Sequence, residues 1–168
     1  MLVDSHSHLF LEEFSDDLPQ VMQRAHDAGV THIFMPNIDS TTIGPLLSVC
    51  NTYKGFCFPM IGLHPTSVNE SYEKELDIVA HQLAPFNEYV AIGEIGLDLY
   101  WDKTFLKEQL IVFEKQIEWA LEYHLPIVVH CREAFEYIYK VLEPYKKSGL
   151  KGIFHSFTGT SEEAEKLL

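Results

Sequence analysis

Short apolar runs alternate with helical patterns along the whole chain, and this alternation limits the possible folds more than any other feature. Candidate strands fall at residues 2–9, 32–38, 57–63, 89–95, 126–131 and 152–157. Several are near-continuous hydrophobic runs (Ile-Phe-Met, Phe-Pro-Met-Ile, Val-Ala-Ile, Ile-Val-Val), the pattern of a parallel sheet covered on both faces. Between them, Leu18, Val21, Met22 and Ala25 share a helical face that stops at Gly29. Leu46, Leu47 and Cys50 mark a second helix, and Leu76, Val79, Ala80 and Leu83 a third, stopped before Pro85. The longest helical pattern covers about 103–123, with Leu106, Leu110, Phe113, Ile117, Ala120 and Leu121 at helical spacing. Phe135, Ile138, Tyr139 and Leu142 give a fifth, stopped before Pro144, and a sixth begins after Ser161.

Strand starts recur every 25 to 37 residues, the size of a βα unit. A closed (β/α)₈ barrel takes about 250 residues. The 168 residues, stopping inside the sixth helix, therefore read as one domain: the N-terminal portion of a TIM barrel, cut to about six βα units. An open doubly wound α/β sheet fits the same length.

Composition narrows the function classes. With 12 basic against 25 acidic residues the formal charge is −13, so no general basic surface exists for nucleic acid or anionic lipid. A polyanionic substrate would need a local positive site, which bound metal ions could supply. Cys50, Cys57 and Cys131 are odd in number and lack C-x-x-C spacing, which favours reduced thiols and a cytoplasmic protein. Neither a signal-peptide pattern nor a run of apolar residues long enough for a membrane span is expected.

The residues capable of chemistry collect at the C-terminal ends of the candidate strands, where active sites of α/β sheets and barrels lie. On an extended first strand Asp4, His6 and His8 would share a face, forming half of a divalent-metal site. His64 follows the third strand, while Glu94, His130 and His155 end the fourth, fifth and sixth. Four imidazoles (His6, His8, His130, His155) and Glu94 suit Zn²⁺, Mn²⁺ or a related ion, and suffice for two ions if Glu94 bridges. The bland alternative is a hydrogen-bonded polar sheet edge. Arg132 is a candidate clamp for phosphate or carboxylate. His64 would donate to substrate or cap its turn. Asp98 would orient a ligand imidazole or cap the following helix. Tyr100 and Trp101 are weaker candidates for stacking on a base. Cys131, facing away from His130, is expected in the core, and the acidic stretch 12–17 is expected to be solvated.

These segments resemble the TatD family of metal-dependent deoxyribonucleases. The resemblance is carried by Asp4-Ser5-His6-Ser7-His8-Leu9, Gly62-Leu63-His64-Pro65, Gly93-Glu94-Ile95-Gly96-Leu97-Asp98, His130-Cys131-Arg132-Glu133-Ala134 and His155-Ser156-Phe157-Thr158-Gly159, in the family's order. It implies a TIM barrel with a binuclear site of Mg²⁺, Mn²⁺ or Zn²⁺ at its C-terminal face, with His6, His8, Glu94, His130 and His155 as ligands and Glu94 bridging. It also implies a metal-bearing aspartate after a later strand, which no residue here matches. The expected reaction is phosphodiester hydrolysis in DNA, at a single strand or strand end, with catalytic roles for Glu94, His64 and Arg132. Rival expectations are a small-molecule amidohydrolase on the same barrel, a D-aminoacyl-tRNA deacylase, or an inactive fragment without the aspartate. No lysine lies in the fourth strand to serve as the carboxylated bridge common among binuclear amidohydrolases.

Overall fold

The computed structural model describes residues 1–84 and 88–167. Six strands alternate with six helices: β1 (Leu2–Asp4), α1 (Leu18–Asp27), β2 (Val30–Pro36), α2 (Ile43–Thr52), β3 (Cys57–Met60), α3 (Tyr72–Leu83), β4 (Ile92–Asp98), α4 (Leu106–Glu122), β5 (Ile127–Arg132), α5 (Phe135–Leu142), β6 (Gly152–Phe154) and α6 (Ser161–Leu167). All pairings are parallel, in the orders β1-β2-β3 and β4-β5-β6. The two sets join where Ile61 bridges to Ile92 and the Gly93 N–H donates to the Ile61 carbonyl at 2.8 Å. The imidazoles of His6 and His155, following the first and last of these strands, stack at 3.5 Å, so the wall curls enough to bring the segments after its two end strands together. This is the arrangement of βα units in a TIM barrel.

The helices cover the outer face. From α4, Phe113 and Ile117 are wholly buried against Ile92, Ile95 and Leu97 of β4, whose residues are all buried. Met22 and Leu46, from α1 and α2, close on Ile33 and Met35 of β2. Gly96 has a φ of +135°, and a Cβ there would run into the His130 backbone carbonyl. Glycine at this position lets β4 lie close against β5.

Every element occurs in the expected order, but three strand boundaries differ in ways that matter. The first strand stops at Asp4, whose carboxylate accepts from the His6 N–H at 3.1 Å and the Ser7 hydroxyl at 2.8 Å. That side-chain turn ends the extended run. His6 and His8 thus lie in the following loop and not on a shared strand face with Asp4. The fourth strand starts and ends three residues later than expected, so Glu94 lies inside it and Asp98 closes it. The sixth ends at Phe154, leaving His155 just beyond. Pro144 falls within a 3₁₀ turn, Glu143–Tyr145, that continues α5. The expected helix stop at Pro85 lies outside the described residues. Among the described residues no helix is long and apolar enough to cross a membrane.

Candidate metal centre

Glu94 projects from the middle of β4 and is only 3% exposed. Its N–H donates to the Asn37 carbonyl at 3.3 Å, which ties this point of β4 to the end of β2. Both carboxylate oxygens are faced by imidazoles. Oε2 lies 3.0 Å from His6 Nε2 and 3.6 Å from His8 Nε2. Oε1 lies 3.1 Å from His130 Nδ1 and 3.7 Å from His64 Nε2. Among the described residues, neither lysine nor arginine pairs with it. Two sets of donor atoms are close enough to share a cation: His6, Glu94 and His155 in one, His64, Glu94 and His130 in the other.

Protonation follows from this cage. Burial alone would push the Glu94 carboxyl up, but hydrogen bonding from His130, His6, His64 and His8 overturns it and holds it far below the usual carboxylate range. Burial pulls His130 down, but its hydrogen bonds to Glu94 and Asp98 win and raise it. His155 is lowered by burial, with further depression from the neighbouring His6.

His130 shows why a cation fits. Its Nε2 lies 2.8 Å from Asp98 Oδ2, so that nitrogen carries the ring proton. In the neutral ring Nδ1 then meets Glu94 Oε1 lone pair to lone pair at 3.1 Å. Only a proton or a metal ion relieves that contact, and the raised His130 pKa is the proton's answer. On the other side, His6 Nε2 and His8 Nε2 are 3.2 Å apart beside Oε2. The Nδ1 atoms of both rings are buried without a hydrogen-bond partner among the described residues. An all-nitrogen-and-oxygen donor set, with no thiolate, suits Zn²⁺ or Mn²⁺. The residues present fit a divalent ion on each side of Glu94.

The remaining candidates take distinct places. Asp98 Oδ2 lies 2.8 Å from His130 Nε2, and its second oxygen accepts from Tyr100 N–H at 3.0 Å and Trp101 N–H at 3.2 Å. Among the described residues Asp4 makes no hydrogen bond to an imidazole, and its carboxylate instead braces the loop that carries His6 and His8. His64 Nδ1 accepts from the Thr66 N–H at 3.2 Å, which leaves the proton on Nε2, turned toward Glu94. Arg132 lies over Tyr100 at 3.9 Å and Trp101 at 5.3 Å and makes no ion pair among the described residues. Tyr100 and Trp101 are 50% and 70% exposed. A cavity of about 740 Å³ gathers His6, His64, Glu94, His130, Arg132 and His155. Cys131 is half-buried and borders the cavity while packing on the core, a more exposed place than expected.

Sequence reasoning missed three buried amides. Asn37 donates from Nδ2 to the Gly62 carbonyl at 2.8 Å and accepts from the Thr42 hydroxyl at 2.8 Å. Gln109 and Gln116, both on α4, bond to the backbones of Asp98 and Leu63. The signal was present: both glutamines fall on the helix's apolar stripe beside Leu110, Phe113 and Ile117, where a polar residue needs a partner.

Comparison with known proteins bears on this geometry. The family model described as "TatD related DNase" matches residues 3–168. The chain is 36% identical over 168 residues to "Uncharacterized metal-dependent hydrolase YabD" of Bacillus subtilis (strain 168), covering all of this chain and 65% of that protein. It is 33% identical over 156 residues to "3'-5' ssDNA/RNA exonuclease TatD" of Pantoea vagans (strain C9-1), covering 93% of this chain and 60% of the relative. The crystal structure of YJJV, a TatD homolog from Escherichia coli K12, superposes with a TM-score of 0.86 at 29% identity, covering 98% of this chain and 63% of that one. The chain thus spans less than two thirds of the length of each of these relatives.

Proposed function

Because the chain belongs to the TatD-related DNase family, we propose that it forms one domain, six βα units of a TIM barrel, of a metal-dependent hydrolase that cleaves phosphodiester bonds at the end of single-stranded DNA. The observation that carries this reading is Glu94: a buried carboxylate, without lysine or arginine among the described residues, whose two oxygens are each faced by imidazoles. His6, His8 and His155 would hold one ion with Glu94 Oε2, and His130 would hold a second with Oε1. Bound Mg²⁺, Mn²⁺ or Zn²⁺ would activate a water and offset the charge of the phosphate in the in-line transition state.

The chain's own residues prepare the site. Glu94 stays ionised, since its hydrogen bonds hold the carboxyl far below neutrality. Asp98 holds His130 with Nδ1 turned to Glu94. Arg132, free of acidic partners among the described residues and flattened on Tyr100, is placed to take phosphate oxygens from the cavity wall. His64 presents its Nε2–H to the same cavity as a second donor. Exposed Trp101 and Tyr100 offer a surface on which a terminal base stacks. The local cation, against a net charge of −13, supports recognition of a strand end over broad duplex binding. The relative named as an exonuclease on single-stranded DNA and RNA supports the same substrate class. Three free cysteines, Cys50 and Cys57 buried, support a cytoplasmic setting.

The test is digestion of an end-labelled single-stranded oligonucleotide with Mn²⁺, by the unmodified chain and by Glu94→Gln. The expected result is a ladder that shortens from one end and is lost in the variant. DNA left intact by the unmodified chain, or cut equally by both, would overturn the reading.

A further inference from the structure

We infer that Gln109 is a positioning residue for the His130 side of the metal centre, acting through Asp98. Gln109 and Gln116 lie seven residues apart on α4, on one helical face, and are 4% and 0% exposed. Each side-chain amide bonds both backbone groups of a single residue. Gln116 Oε1 accepts from the Leu63 N–H at 2.7 Å and its Nε2 donates to the Leu63 carbonyl at 3.2 Å. Gln109 Oε1 accepts from the Asp98 N–H at 3.0 Å and its Nε2 donates to the Asp98 carbonyl at 3.2 Å. Each amide thus stands in for a neighbouring strand and saturates a buried peptide group.

The two clamps are alike in bonding and unlike in what they hold. Leu63 is an apolar core residue packed with Val68 and Val112, and the neighbouring His64 is assigned above to substrate and to neither cation. Asp98 carries the carboxylate that fixes the His130 ring at 2.8 Å and also receives the N–H groups of Tyr100 and Trp101. An Asp98 backbone released by Gln109 tilts that carboxylate. The His130 ring then loses the acceptor that holds its proton on Nε2 and so directs Nδ1 at Glu94. Nothing on α4 bonds to His6, His8 or His155 among the described residues, so the opposite side of Glu94 keeps its geometry.

This inference rests on the two-cation reading above. The experiment compares Mn²⁺ binding and melting temperature for the unmodified chain, Gln109→Met and Gln116→Met, each variant losing the same pair of backbone bonds. The expected result is a similar fall in melting temperature for both. One of the two Mn²⁺ steps weakens at least about tenfold in Gln109→Met alone, the size of effect typical of groups behind metal ligands. Gln109→Asn keeps the amide one methylene short and carries the test if Gln109→Met does not fold. Unchanged Mn²⁺ binding in the Gln109 variants, or equal weakening in Gln116→Met, overturns the inference and leaves the two-cation reading standing. Binding of fewer than two ions by the unmodified chain overturns that reading and the inference with it.

Discussion

Glu94 and His130 meet at 3.1 Å in a buried site, a contact that a neutral His130 with its proton on Nε2 would make with two acceptor atoms. Cys50 and Cys57, pushed up to about 12 by burial, stay neutral thiols under the first two helices. Their ordinary value of 9.0 applies once the chain unfolds. Between these limits the folded chain binds more protons than the unfolded one, so the stability these thiols contribute is intact below pH 9 and lost as pH rises toward 12. Tyr89, also raised to about 12 by burial, adds to the same loss. Thermal melts across that range should show a falling midpoint, with a smaller fall in Cys50→Ala/Cys57→Ala. A flat midpoint would mean that the thiols are open to solvent.

Among the elements, β4 does most to organise the site, and one glycine decides whether it can. A side chain at Gly96 meets the His130 carbonyl, and its φ of +135° is one that side chains other than glycine rarely adopt. Gly96→Ala should lower unfolding free energy in urea by about 1–3 kcal/mol or more. It should also impair Mn²⁺ uptake, because the strand it displaces carries Glu94. A loss within about 0.5 kcal/mol would contradict the close approach of β4 to β5. The strands and helices were legible in the sequence because buried parallel strands read as unbroken apolar runs, such as Ile127-Val128-Val129, and α4 shows a clear helical stripe. Their ends were less legible. Strand alternation placed His6 and His8 on β1 with Asp4, whereas a side-chain turn at Asp4 carries them into a loop. Apolar Tyr89, Val90 and Ala91 drew the fourth strand three residues early, and so put Glu94 at its end. The stripe of α4 marks Gln109 and Gln116 as polar residues in need of partners, but the backbone groups that they and Asn37 bond lie on other elements, which no local pattern identifies.

Across the whole molecule, parallel βα units bring residues far apart in the chain to one face. His6 and His155 are stacked at 3.5 Å although they follow the first and sixth strands. Arg132 stands in the cavity they help to line, without an ion pair among the described residues, in a chain of charge −13. The most direct measurement is anomalous scattering from crystals soaked in Mn²⁺. The account predicts two peaks flanking Glu94, one beside His6, His8 and His155 and the other beside His130. A single peak, or none within coordination distance of the Glu94 carboxylate, would contradict it.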